Sequence, residues 1–316
     1  MSYVRDTLGN RVYINQMIED EYFNHSNISR RKNKMNAKRA NELAIIANKI
    51  RKNALTAVYS ANSGHPGGSL SIAELLALLY FEVMNVDPKN PKKEDRDRLV
   101  LSKGHAAPAL YGTLAERGYF PVEDLSGFRS TGSCLQGHPD MNKVPGIDMS
   151  TGSLGQGVSA AGGMALAAKL DKKDYRVYSI LGDGELEEGQ VWEQAMFAPH
   201  YKLDNLTIFI DNNGLQIDGD VKDVMNPTPI DSKFEAFGWN VIKVDAHNIE
   251  QLYDAIEAAK ACKGKPTAVI MKSVKGKNVS FMENEAGWHG SAPNEEQYNQ
   301  AIAELDKKIA ELEAAL

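Results

Sequence analysis

The sequence predicts an α/β fold, a mainly parallel sheet with helices on both faces. Short apolar runs at 99–101, 176–181, 206–210, 239–244 and 267–274 alternate with segments whose apolar residues recur every three or four positions. Strands alternating with helices in this way build parallel sheets covered on both sides. Two glycine-containing turns, GDG at 182–184 and NNG at 212–214, follow directly on the runs at 176–181 and 206–210. Asp183 and Asn213 therefore fall at carboxyl ends of strands, where parallel α/β sheets bind ligands.

The glycines around Asp183 permit a tight turn and close approach of backbone to a ligand, and phosphate is the first candidate. Asp183, Glu185, Glu187 and Glu188 would repel a bare phosphate, and the spacing differs from the G-x-G-x-x-G of dinucleotide folds. A divalent cation resolves the conflict. Asp183 and the amide oxygen of Asn213 are hard oxygen ligands, and diphosphate oxygens complete the shell of Mg²⁺ or another hard cation such as Ca²⁺.

The chain has 316 residues, enough for one large α/β domain with a substantial core. Apolar residues make up 42% and charged residues 25%, ordinary values for a soluble protein. A net charge of −6 gives no reason to expect nucleic acid or an anionic membrane as a partner. Cys134 and Cys262 lack metal-like spacing and fit a reducing compartment. No apolar stretch reads as a signal peptide or membrane span, so the expected location is cytoplasmic.

In chain order, residues 1–35 form a polar extension with a basic cluster, RRKNK, at 30–34, read as a solvated linker. A helix runs from Asn36 to about Val58, followed by a loop, SGHPGG, that leaves His65 accessible. Ser71 and Glu74 have the spacing of a capping box for a helix from 72 to 84. His105 lies in SKGH between the strand at 99–101 and a helix at 106–117. It is either a neutral donor to a phosphate or a helix cap. His138 sits in GHPD, and TGSLGQG at 151–157 leads into a helix of small residues suited to close packing. Glu188 and Glu193 are five residues apart, so a shared role needs an irregular helix start; the alternative is solvated surface. Helices at 231–237 and 249–262 separate the remaining strands. Residues 275–293, around Trp288-His289, read as a mobile lid or site loop. Residues 294–316 form an amphipathic helix that docks on this domain, 36–293, or on a partner.

The series SGHPGG, DRLVLSKGH, GHPD, STGSLGQG, GDG, DNNGLQIDG and WHGSAP resembles the diphosphate-binding domain of transketolases, motif by motif and in family order. The resemblance implies thiamine diphosphate held through a metal on Asp183, Asn213 and the Leu215 carbonyl, with Gly184 close to the diphosphate. It also implies His105 and His289 near the phosphates, and backbone of Gly152, Ser153 and Leu154 along the aminopyrimidine. His65, His138 and His289 would surround the sugar hydroxyls. Glu188 and Glu193 match a carboxylate network linking active sites across a dimer. The implied reaction is two-carbon ketol transfer between sugars or sugar phosphates, with the cofactor as electron sink. Imidazoles titrate near neutrality, which makes His65 and His289 the candidates for proton transfer.

In that family the glutamate that protonates the aminopyrimidine belongs to a pyrimidine-binding domain, and no second βα array follows Pro293. The expected partner is a separate transketolase subunit carrying that domain, in an α2β2 assembly. The alternatives are a carboligase resembling deoxyxylulose-phosphate synthase, and a cofactor-binding subunit without chemistry of its own.

Overall fold

The computed structural model describes residues 35–316 throughout, and the backbone of residues 3–5 and 11–13. Strand β1 (Tyr3–Arg5) pairs antiparallel with β2 (Arg11–Tyr13). Met35, expected in the polar extension, is buried in the core instead; the rest of the extension, including its basic cluster at 30–34, lies outside the described residues. Met35–Leu316 form a compact unit that includes the C-terminal helix.

The central sheet of this unit contains β3 (Arg98–Leu101), β4 (Val177–Gly182), β5 (Leu206–Asn212), β8 (Asn240–Asp245) and β9 (Thr267–Lys272). Between β5 and β8 come a small antiparallel pair, β6 (Leu215–Gln216) and β7 (Gly219–Asp220), and a short helix, α7 (Val221–Val224). The order of the central sheet is β3-β4-β5-β9-β8, and every pairing in it is parallel. Successive side chains of a strand point to opposite faces, so each strand feeds two cores. Ile180, Phe209, Val269 and Met271 pack on one side with α1 (Ala37–Ser60), α3 (Ala73–Leu78), α4 (Ala107–Arg117) and α9 (Ile249–Ala261). Leu181, Ile208, Ile210 and Ala268 pack on the other with α5 (Gln156–Leu170), α6 (Gly189–His200) and α8 (Ile230–Ala236).

The register aligns Gly182 with Asp211, Asn212 with Lys272, and Lys272 with Asp245. The strand ends therefore form a level row. All five following segments leave from one edge of the sheet, which is why motifs scattered through the sequence converge.

Ser71 and Glu74 do not form a capping box. The chain makes a short helical turn, α2 (Gly67–Leu70), before α3, and α3 continues into a π-helical turn at Leu79–Val83. The Ser71 hydroxyl donates to the Gly68 carbonyl and to Asp211, while Glu74 pairs with Arg51. Buried charged partners satisfied these side chains better than free backbone N–H groups.

A capping box does start the last helix, α10 (Glu295–Glu313), from Asn294 and Gln297. This helix docks on its own domain: Tyr298 stacks on Tyr59 of α1 at 4.2 Å, and Ala301 and Leu305 pack on Val279 and Met282. The 275–293 segment is a packed site loop in this conformation. Gly276, at φ +77°, turns where any Cβ would meet the Met282 carbonyl oxygen, and its N–H donates to the Gly67 carbonyl.

Candidate active site

Three histidines from three loops meet at the row of strand ends. The ring centroids of His65 and His105 are 5.3 Å apart, those of His65 and His289 5.4 Å, and those of His105 and His289 5.0 Å. His138 stands next to them against Gly152, whose missing Cβ would lie 3.0 Å from the His138 ring. Gly152 sits at φ +154°, so both conformation and space demand glycine there. His105 occupies a 3₁₀ turn ahead of α4 and does not cap that helix, whose N-cap residue is Ala106.

All four imidazoles are held neutral. Burial, then Arg129, His138 and Lys275, bring His65 down to about 4, and burial followed by Lys275 and His65 brings His289 down to about 3. Burial and Lys103 push His105 well below its ordinary range, and burial and Arg129 lower His138. A neutral imidazole both donates and accepts hydrogen bonds. The Nδ1 of His65 is buried without a hydrogen-bond partner, which is uncommon for a buried polar atom.

Beneath the histidines lies a buried ion pair, Lys103 Nζ to Asp211 Oδ2 at 2.5 Å. Asp211 also accepts hydrogen bonds from Ser71, Ser273 and the Asn213 amide, the last at 3.0 Å. Because the NH₂ end of Asn213 is committed to Asp211, its Oδ1 is presented on the other side, 3.1 Å from the Leu215 N–H. Asp183 accepts from the N–H groups of Gly184 at 2.9 Å and Gly214 at 2.6 Å.

A hard cation carrying a diphosphate fits these groups on two counts. Burial and the neighbouring Asp211 charge raise Asp183 to about 6, so this carboxylate gains from a nearby positive charge. Asp183, Asn213 and Leu215 line a groove of about 350 Å³. Their donor set is one carboxylate with amide and carbonyl oxygens, the type that suits Mg²⁺ or Ca²⁺. A cation already touches one of these oxygens, since Lys275 Nζ donates to the Leu215 carbonyl at 3.1 Å. Among the described residues, no cluster of three His, Cys, Asp or Glu side chains has the geometry of a metal site.

The family model described as transketolase, thiamine diphosphate binding domain, matches residues 43–309. The chain belongs to the transketolase family. It is 49% identical over 264 residues to the 6-deoxy-6-sulfo-D-fructose transketolase subunit SqwG of Clostridium sp. (strain MSTE9), covering 84% of this chain and 96% of that one. It is 43% identical over 271 residues to an apulose-4-phosphate transketolase subunit of Phocaeicola vulgatus, covering 86% and 96%. Human transketolase is 42% identical over 271 residues, but those cover 83% of this chain and 42% of the human protein. Among solved structures, a transketolase variant from Pichia stipitis superposes with a TM-score of 0.78 at 34% identity, covering 87% of this chain and 45% of that one. The chain is thus the N-terminal, thiamine-diphosphate-binding part of a transketolase, and spans less than half the length of the solved transketolases it matches.

Two of the expected site residues stand apart from the transketolase histidine cluster. Glu188 precedes α6 with extended backbone, after a 3₁₀ turn at Gly184–Glu187, so the helix start is irregular. Glu188 and Glu193 are both exposed, and Glu193 lines a second groove with Ser159, Gly163 and Phe197.

Several residues that order the site escaped sequence reasoning. Glu185 is buried and accepts from the Ser102 hydroxyl at 2.5 Å, the Gly155 N–H at 2.9 Å and the Gly182 N–H at 3.1 Å. It clips the loops of three motifs together. Lys103, Asp211 and Lys275 are equally hidden. The available signal was position: Lys103 and Asp211 lie inside the motifs DRLVLSKGH and DNNGLQIDG, Glu185 follows GDG directly, and Lys275 stands three residues after β9.

Proposed function

We propose that this chain is the cofactor-domain subunit of a split transketolase, and that it transfers two-carbon ketol units only with a second chain carrying the pyrimidine-binding domain. The observation that carries the reading is the triangle of neutral histidines joined through Lys275 to the oxygens of the Asp183–Leu215 groove. The separate partner is supported by relatives named as subunits, matched over 96% of their length.

In this reading Asp183, Asn213 and the Leu215 carbonyl hold Mg²⁺ or Ca²⁺, and Gly184 and His105 face the diphosphate. The backbone of Gly152, Ser153 and Leu154 lies along the aminopyrimidine. His65, His138 and His289 bind sugar hydroxyls. His65 and His289 lie at about 4 and about 3, below the near-neutral range expected from the sequence, because burial disfavours their charged form; as neutral acceptors they are assigned the proton at the C3 hydroxyl of the ketose. Bound thiamine diphosphate supplies the electron sink for breaking the C2–C3 bond. Glu188 and Glu193, on the exposed surface, are assigned to contacts with another chain, in an α2β2 assembly. A reducing, cytoplasmic setting fits two free cysteines; among the described residues no helix is long and apolar enough to cross a membrane. The two relatives are named for different sugars, one sulfonated and one phosphorylated, so we assign the reaction class and no particular sugar.

The test is to saturate the purified chain with Mg²⁺ and thiamine diphosphate and follow ketose cleavage with and without the pyrimidine-domain chain. Activity is expected only with the partner. Turnover of about 1 s⁻¹ or more by the chain alone would refute the split-enzyme reading.

A further inference from the structure

One buried polar network has no part in the roles assigned above. Arg51 of α1 is 0% exposed, and its Nη2 donates to Glu74 Oε2 of α3 at 2.5 Å. A buried ion pair is a poor source of stability compared with well-packed hydrocarbon, so its geometry is the informative part. Two branches leave this pair. On one, Glu74 Oε2 lies 3.2 Å from His247 Nδ1, and His247 Nε2 is 2.9 Å from the Val274 backbone N–H. An N–H can only donate, so Nε2 accepts and the ring proton sits on Nδ1, directed at Glu74. On the other branch, Arg51 Nη1 donates to Asn48 Oδ1 at 3.3 Å, and the same oxygen accepts from Asn278 Nδ2 at 2.9 Å.

Both branches end on one short segment. Val274 precedes Lys275 by one residue, and Asn278 follows it by three, held at φ +68°. The ladder between β8 and β9 ends with the Ala246 N–H on the Lys272 carbonyl at 2.9 Å. The His247 ring takes the place of the next carbonyl and carries the bonding past the last strand residue. Lys275, between the two anchors, is the cation that reaches both the Leu215 carbonyl and His289.

We infer that His247, with the Arg51–Glu74 pair behind it, is a positioning residue that sets the path of residues 274–278 and thereby places Lys275 between the cofactor groove and His289. The inference rests on the proposed cofactor site. It gives a reason for an ion pair inside an apolar core: two polar anchors hold a turn more narrowly than side-chain packing does.

Two isosteric variants test it. His247→Asn keeps an amide near the Nδ1 position and cannot reach Val274, whereas His247→Gln places an acceptor near Nε2. In the chain assembled with its partner, H247N is expected to weaken thiamine diphosphate binding, measured by calorimetry with Mg²⁺, about 10-fold to 100-fold, the usual scale for a supporting residue. H247Q is expected to stay close to wild type. In a Lys275→Met background H247N should add nothing, because both changes act through the same side chain. Additive losses, or equal losses in H247N and H247Q, would overturn the inference. Hydrogen exchange on the cofactor-free chain gives a second readout. H247N should speed exchange in peptides covering 273–290 and leave 177–182 unchanged, while unchanged or uniformly faster exchange overturns the idea. If H247N does not fold, exchange in H247Q decides: protection of 273–290 supports the role and its loss removes it. Wild-type enzyme that fails to bind thiamine diphosphate would sink the proposed function, while the exchange measurement would still judge His247.

Discussion

Lys275 Nζ lies 2.9 Å from Nδ1 of His289. An ammonium group only donates, so Nδ1 accepts and the ring proton of His289 is on Nε2. Burial, then the charge of Lys103, brings Lys275 down to about 8, which leaves it mostly charged at neutral pH. Its other contact is the Leu215 carbonyl, so a single side chain links the sugar-facing histidines to the oxygens proposed for the metal.

His65 touches the histidine cluster and not the groove oxygens, so binding and chemistry should separate there. His65→Ala is expected to leave thiamine diphosphate affinity nearly intact while lowering turnover about 10²-fold, the scale of one general acid or base. Calorimetry and steady-state rates on the assembled enzyme measure the two quantities. A matching loss in both would make His65 a cofactor or structural residue.

The same histidine gives a pH dependence of stability. Unfolded, it takes a proton near its ordinary 6.5; folded, burial and nearby cations delay this to about 4. Between those values the unfolded chain binds more protons, so stability should fall as pH drops from 6.5 toward 4. Urea unfolding at about pH 7 and about pH 5, on either side of that unfolded value, should show a smaller loss for His65→Ala than for the wild-type chain. Identical losses would mean that His65 is not buried in its neutral form.

Asp183 is the one negative ligand among the three oxygens assigned to the cation. Asp183→Ala should therefore abolish most thiamine diphosphate affinity in the presence of Mg²⁺. Calorimetry on the assembled enzyme decides, and unchanged affinity would remove Asp183 from the metal site.

Glu74→Gln leaves the fully buried Arg51 guanidinium without its counter-charge. The expected cost is about 3–5 kcal/mol of unfolding free energy, read from urea denaturation at neutral pH. Burial alone would raise Glu74, but Arg51 and His247 hold it at about 2. The folded value is depressed, so the contribution is complete above the unfolded value near 4.5 and disappears as pH falls toward 2. A variant as stable as wild type would show that water reaches Arg51.

The strands at Val177–Gly182 and Leu206–Asn212 follow from the sequence by itself, as does the position of Asp183 and Asn213 just beyond them. Apolar periodicity is a local record of which faces a segment must bury, and a turn after a strand needs only its own residues. The motif order was also legible, because each of SGHPGG, SKGH and GDG is contiguous. The tertiary structure decided which polar side chains meet. Ser71 and Glu74 carry the spacing of a helix cap, yet their partners are Asp211 and Arg51, which only the packing of α1, α3 and β5 brings within reach. Lys103 and Asp211 are 108 positions apart and buried, and neither betrays the other in sequence. A buried charge must find its counter-charge wherever the fold delivers one, so such pairings depend on the order β3-β4-β5-β9-β8 and on strand register, and not on any local pattern.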